Sequence, residues 1–561
     1  MPNECAMRIV SSLEKCFWDE KITQKPERDH YLMYRNEKLS FQLALCNQAL
    51  DGTPEFCFCV SGALADYVTV REVISMPAHS GLGGEDDGCL RTAPGLYPDM
   101  LRPMHYRGGI PLPKGQLRAL WVDVQIPEGV DVPAEETALT FSFVAKNFSY
   151  SYPWELDMGE ISAYVRVSPL KLPAQTLIHT EWLYSDCIAE AHGAEAFSEK
   201  HWEMLEKYVK TAVDNGINMI LTPLFTPELD TYIGGERLTT QLVKITVTGK
   251  DTYAFDYTLL DRWIDMCERL GVTYYEIPHF FTQWGAEHAP KFIATVDGEE
   301  TRIFGWETDA LGEEYRVFLA QLITSFVAHA KSRGIDKRCY YHISDEPRLE
   351  HLEHYKACKN RVAPYLEGYA IIDALSDFDF YKTGALDIPV PAIKRCHDFL
   401  TADIAEPWVY YCGAPINLTG RCFSHPTART RILGVQLYRH RIKGFLHWGY
   451  NFYRNRHSYD HVDVLGCTDA EYWTSPGNAF LVYPGTDGTV WESIRLNAMR
   501  EAMDDMRALA LCESVLGRER TEELISVGTL EPLTFFAYPK SSDYLLSLHD
   551  RVLLAVEQAQ I

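Results

Sequence analysis

After Pro173 the hydrophobic rhythm of the chain changes from a period of two to short apolar runs separated by amphipathic stretches of helical length. Few architectures accept that alternation, because each strand needs a crossover to reach a parallel neighbour. Eight strands can be drawn: 176–179, 219–222, 274–278, 339–343, 368–372, 388–390, 408–411 and 444–448. Helical stretches at 198–215, 259–270, 313–332, 349–362 and 427–443 lie between them. The pattern predicts an α/β protein with a (β/α)8 TIM-like barrel, and an open α/β sheet is the alternative.

Upstream, 39–45, 117–124, 138–144 and 161–167 alternate apolar and polar residues between turn-forming segments, which predicts an N-terminal β-sandwich. Residues 491–512 read as a last barrel helix, followed by short helices at 519–525 and 544–558. The expected division of the 561 residues is a sandwich over 1–170, a barrel over 171–515 and a short helical C-terminal tail over 516–561. A formal charge of −25 argues against a nucleic-acid partner, since phosphate contacts need clustered Lys and Arg. Near the start, Glu14 and Lys15 interrupt any apolar stretch long enough for a secretion signal, and no uncharged run is long enough to span a bilayer. Fifteen cysteines, an odd number without a CxxC pair, suggest a reducing compartment, so a cytoplasmic protein without membrane contact is expected. No metal-ligand spacing and no cofactor motif is found, and none is expected to be needed.

In barrels of this type, catalytic groups sit at the C-terminal ends of strands. The run Tyr341-His342-Ile343-Ser344-Asp345-Glu346-Pro347 is an apolar strand that ends in two carboxylates and a proline. Those acids could merely cap a following helix. Other strand ends are rich in aromatic and polar groups: Trp182 and Tyr184; His279, Gln283 and Trp284; Trp408, Tyr410 and Tyr411; His447, Trp448, Tyr450 and Asn451. Together with Tyr341 and His342, these are candidate sugar-binding residues, because pyranose C–H faces stack on aromatic rings while polar groups bind hydroxyls.

Adjacency constrains the chemistry. An acid and a nucleophile that straddle an anomeric carbon stand about 5 Å apart or more, which consecutive residues achieve with difficulty. One carboxylate can instead protonate the glycosidic oxygen while its neighbour orients a 2-acetamido group that itself attacks C1, so a terminal N-acetylhexosamine is the expected substrate. The stretch His342-Ile343-Ser344-Asp345-Glu346-Pro347 resembles the Asp-Glu motif of glycoside hydrolase family 123, the retaining exo-β-N-acetylgalactosaminidases. Leu481-Val482-Tyr483-Pro484-Gly485, with Ser493-Ile494-Arg495-Leu496 and Met503-Asp504-Asp505, looks like the C-terminal module called domain of unknown function 4091. The usual acidic Glu-Asp-Tyr-Glu run is here Met503-Asp504-Asp505-Met506. The resemblance implies that Asp345 polarises the acetamido group, that Glu346 serves as general acid and then base, and that Trp448 and Tyr450 wall the subsite. Two alternatives stand beside it: a glycosidase of other specificity that uses Glu181, Asp186, Glu276 or Asp373 as second carboxylate, and a non-catalytic carbohydrate-binding protein.

Overall fold

The computed structural model describes residues 5–81, 86–104, 108–147, 154–413 and 415–560. They form two compact units. One takes in residues 1–175, 419–439 and 491–561; the other takes in 176–418 and 440–490.

In the first unit, alternation does what it predicts. Along Thr137–Asn147, Leu139, Phe141, Phe143 and Ala145 are fully buried and their neighbours are not. One sheet runs Cys5–Ser11, Lys38–Asn47, Leu117–Gln125, Val68–Ala78, Gly95–Pro103, and another runs His30–Met33, Trp154–Val167, Thr137–Asn147, Glu55–Ser61, Gly109–Pro111. Phe41 and Val122 of one meet Phe141 and Val165 of the other in a single apolar cluster. Each such side chain contributes roughly 1.5–3 kcal/mol by leaving water.

The long helix Ile494–Leu516 shows what its sequence motif is for. Its N-cap Ser493 accepts the Leu496 N–H, and the Arg495 guanidinium grips buried Asp99 in a two-pronged ion pair at 2.8 and 2.9 Å. Asp505 and Glu501 both hold buried Arg431, and Asp504 pairs with Arg500. The motif is thus a set of desolvated ion pairs, so Arg495→Met, which takes the guanidinium from buried Asp99, is expected to destabilise this unit by ~3–5 kcal/mol in chemical denaturation. The helices Arg518–Ser526 and Ser542–Gln560 bury Ile525, Leu548 and Val552 in one cluster with Ile432, Val435 and Leu509. The stretch read as one helix over 427–443 is two, Thr427–Arg431 and Leu433–Arg439.

In the second unit eight parallel strands follow in chain order: β1 (Ile178–Glu181), β2 (Met219–Leu221), β3 (Tyr274–Ile277), β4 (Cys339–Tyr341), β5 (Ala370–Ala374), β6 (Ile388–Val390), β7 (Trp408–Tyr410) and β8 (Gly444–His447). Their spatial order is β6-β5-β4-β3-β2-β1-β8-β7, and a parallel bridge between Ala392 and Tyr410 brings the two ends together into a nearly closed barrel. Pro389 is tolerated because β6 stands at the end of the ladder order, where it lacks a full second partner strand. Helices separate the early strands in the chain. Thr258–Leu270 buries Leu260, Trp263, Ile264 and Cys267, one face at helical spacing, and stops at Gly271, whose φ of 93° suits only glycine well.

Gly444 at the start of β8 is required for a different reason. A Cβ there would stand 2.0 Å from the Trp408 ring, so Gly444→Ala should cost ~1–3 kcal/mol or more and lower the thermal midpoint.

A four-stranded sheet of two hairpins, Lys244–Gly249 with Thr252–Asp256 and Phe292–Val296 with Glu299–Phe304, is absent from the sequence expectation. Its signal was present: Asp297-Gly298 takes positive φ at both positions, 51° and 92°, the geometry of a tight hairpin turn. Among the described residues no helix is long and apolar enough to cross a membrane.

Candidate active site

The chain leaves β4 through His342, Ile343 and Ser344 before it reaches the two acids. Both ends of this path are fixed by buried hydrogen bonds. The Ile343 N–H donates to Asp373 Oδ1 at 3.0 Å, and the Ser344 hydroxyl donates to the Thr282 carbonyl at 2.8 Å. Asp345 and Glu346 then face a cavity of about 380 Å³. No helix begins at Pro347; the next turn of helix starts at Leu349, so the acids are not helix caps. Glu346 takes φ of 44°, a strained choice for a residue with a side chain, and its carboxylate accepts the Tyr410 hydroxyl from the end of β7.

Most strand ends reach this cavity. Trp182 follows β1, Gln283 and Trp284 follow β3, Ala374 ends β5, and Trp448 follows β8. Asp230, from the loop after β2, joins them, and Trp473 and Asn478 complete the wall. Trp448 and Trp473 sit 5.4 Å apart between ring centres. Asp230, Trp284 and His457 share with Glu346 a left-handed backbone, with φ between 52° and 61° for the first three. Such backbone strain is one of the features found at functional sites.

Beneath the acids lies a buried charge relay. His342 Nε2 donates to Glu276 Oε1 at 2.6 Å and its Nδ1 to Asp373 Oδ1 at 3.1 Å. Burial alone would lower its pKa, but the bonds to Asp373 and Glu276 outweigh that and raise it to about 9. Glu276 also accepts the Trp182 indole N–H at 2.7 Å and the Thr180 hydroxyl, so the relay fixes one wall of the cavity. His279 stacks on His342 at 4.2 Å and is held neutral by burial and by that neighbouring cation. His279, His342 and Asp373 lie close enough to ligate one metal, yet a His342 that donates from both ring nitrogens has no lone pair to offer.

Burial pushes the Asp345 carboxyl well above the usual carboxylate range; the Glu346 charge adds to this and the His342 cation opposes it. Asp345 therefore favours its protonated form more than an ordinary carboxyl does. Burial likewise raises Asp230 to about 7 against the pull of Arg237.

Of the sequence candidates, Asp345, Glu346, Trp182, Tyr184, Gln283, Trp284, Tyr410 and Trp448 line the cavity. The others do not, and each has a packing reason. Tyr341 points to the opposite side of β4 from His342 and packs on Phe280 and Phe326. Trp408 packs against Tyr340 near the start of β7, two residues and about 7 Å below Tyr410. Tyr411 packs on Phe445 and His447, and the Tyr450 hydroxyl donates to the Tyr208 carbonyl at 3.0 Å. Asn451 brackets the backbone of cavity-lining Tyr184, accepting its N–H at 2.9 Å and donating to its carbonyl at 3.0 Å. His342, His279 and His447 are buried outside the lining, with His447 Nδ1 accepting the Gly449 N–H. These eight residues are not among those that line the cavity.

The alternative second carboxylates are committed elsewhere. Asp186 forms a two-pronged pair with buried Arg237, and Glu181 is buried between His179 and His447. Glu276 and Asp373 belong to the relay.

The family model for the glycoside hydrolase 123 catalytic domain matches residues 182–512. The chain belongs to glycoside hydrolase family 123. A solved structure of a family 123 glycoside hydrolase from Clostridium perfringens, reported for the details of glycolipid glycan hydrolysis, superposes over 99% of this chain and 99% of its own, at 15% identity and a TM-score of 0.74. A family 5 mannosidase from Rhizomucor miehei aligns over 59% of this chain and 93% of its own, at 12% identity and a TM-score of 0.35, too low to support any inference. The comparison with curated proteins returns no match.

This family 123 member is a glycoside hydrolase, and its cavity contains groups that the sequence reading missed. Asp230, Arg456, His457 and Trp473 sit on long loops, where no periodicity singles out a residue. Tyr410 was visible as a strand-end aromatic, but its partnership with Glu346 depends on the ring closing.

Proposed function

We propose that this enzyme is an exo-β-N-acetylgalactosaminidase that hydrolyses terminal β-linked GalNAc with retention, the substrate's own acetamido group acting as nucleophile. One observation carries the reading: two consecutive carboxylates open onto one cavity, while Glu181, Asp186, Glu276 and Asp373 are buried and bonded away from it. The acetamido oxygen attacks C1 as the C1–O bond to the leaving group breaks, and the departing oxygen takes the Glu346 proton. Asp345 accepts the acetamido N–H and stabilises the charge that develops on the resulting oxazolinium. Water, deprotonated by Glu346, then opens that ring from the face the leaving group vacated.

In the free cavity burial favours a proton on Asp345. An N–H donated by the substrate favours ionised Asp345, the form that the mechanism requires. Trp182, Trp448 and Trp473 offer apolar faces to the sugar. The galacto preference rests on the likeness of the Asp345-Glu346 stretch to the family motif, and the Clostridium relative's glycolipid glycans supply the class of substrate to try first.

A panel of aryl β-glycosides tests this. The reading expects turnover of GalNAc above GlcNAc, and none of galactose. Equal turnover of galactose and GalNAc sinks it.

Asp230 is the remaining cavity acid, and its role can be separated. If it only tunes the site, Asp230→Asn keeps kcat within about tenfold and shifts the acid limb of the rate profile to lower pH, because one charge that raises the Asp345 pKa is gone. A loss beyond about 10³-fold, a scale at which catalytic groups operate, would make it a reacting carboxylate instead.

A further inference from the structure

A second cavity of about 810 Å³ shares Glu346 and Tyr410 with the first. A general acid protonates the oxygen that joins the cleaved sugar to its leaving group. Glu346, the acid lining both cavities, therefore marks the scissile bond, with the terminal sugar on one side and the leaving group on the other. That assignment rests on the proposed function.

The second cavity sets cations and carboxylates against one another in equal number, in a chain of net charge −25. Four cations line it, Arg348, Lys382, Lys394 and Arg395. Only Lys382 is matched, pairing with Asp379 at 2.5 Å and lying near Asp398. Asp377 is used as a helix cap, accepting the Phe380 N–H at 3.0 Å, and Glu346 accepts from Tyr410. Among the described residues, Arg348, Lys394 and Arg395 have no ion-pair partner. Lys394 and Arg395 are held at the rim by the short helical turn Ile393–Arg395, which is anchored by buried Ile393.

We propose that this cavity is a leaving-group subsite for a sugar carrying an anionic substituent, a uronic carboxylate or a sulfate ester, read by Arg348, Lys394 and Arg395. The geometry suits it: an anion there meets three unmatched donors, and Arg in particular offers a planar fork to carboxylate or sulfate. The same cations stand beside the C1–O bond being broken and favour retention of an acidic leaving sugar until its oxygen is protonated.

The test compares kcat/KM for β-GalNAc-(1→4)-glucuronic acid, β-GalNAc-(1→4)-galactose and the 6-sulfated form of the latter. Wild type should prefer one or both acidic disaccharides by about tenfold or more, and which one identifies the anion. In Lys394→Ala/Arg395→Ala the ratio of acidic to neutral should fall toward one, and in Lys394→Glu/Arg395→Glu it should invert. A wild-type ratio near one, or a preference that survives charge reversal, overturns the subsite. Direct binding of methyl β-glucuronide and galactose 6-sulfate, measured calorimetrically, separates this from the parent reading. If no disaccharide is cleaved but an anion binds wild type and not the charge-reversed variant, the subsite stands and the activity assignment fails. If neither anion binds, the subsite fails.

Discussion

Glu346→Gln lowers kcat/KM for a β-GalNAc disaccharide by about 10²- to 10⁴-fold, the usual contribution of a positioned general acid. The loss depends on the leaving group. A sugar alkoxide needs the Glu346 proton as it departs, whereas a dinitrophenolate leaves without help, so the same variant should cleave a dinitrophenyl GalNAc with a far smaller deficit in its first step. Asp345→Asn behaves differently, because Asp345 acts on the acetamido group and not on the leaving oxygen. Its loss, roughly 10²- to 10³-fold as for other groups that stabilise developing charge, should be the same for both substrates. Leaving-group dependence thus distinguishes two neighbouring residues that a single assay would merge. Tyr410→Phe, which removes the hydroxyl donated to Glu346, should resemble a weak Glu346 variant.

His342→Leu should destabilise the barrel by ~3–5 kcal/mol, since it leaves Glu276 and Asp373 buried without the cation between them. The loss carries a pH signature. The His342 pKa is raised in the folded state, to about 9 against ~6.5 in an unfolded chain, so its stabilisation is fully present below about pH 6.5 and disappears as the pH climbs through 9. That difference amounts to about 3 kcal/mol. His549, held between Glu37 and Asp550 in the other unit, is raised to about 10 and acts in the same direction, so the quantity to measure is wild type minus variant. Thermal midpoints taken from pH 6 to pH 9.5 should converge as the pH rises. A gap that stays constant would remove the imidazolium from the account. Activity should fall as well, because Asp373 also receives the Ile343 and Ser344 N–H groups that set the path into Asp345.

Every one of the eight barrel strands was legible in the sequence, because short β-branched and aromatic runs between amphipathic stretches survive without tertiary information. Two of them are displaced by two residues, and the reason is instructive. β1 ends on Glu181 and β5 contains Asp373, both fully buried, and a carboxylate inside a strand is intelligible only once its histidine partner from another strand is known. The Asp345-Glu346 pair was legible for the opposite reason, since two acids and a proline at a strand end leave little choice. Aromatic residues were less informative. Tyr341, Trp408 and Tyr411 resemble Trp182 and Trp448 in composition and position, and only strand facing and depth separate packing from lining. Asp230 lay beyond reach, because its loop has no pattern and its raised pKa comes from burial that only the folded chain creates.

The central claim is that the substrate supplies its own nucleophile. It is tested most directly by replacing the acetamido methyl of an aryl β-GalNAc with mono-, di- and trifluoromethyl groups. Each fluorine withdraws electrons from the carbonyl oxygen that must attack C1, while the sugar, the leaving group and the contacts to Asp345 and Glu346 stay in place. The account predicts a steep, monotonic fall of kcat/KM along the series. A rate that is flat across the series would contradict it and assign the attack to the protein.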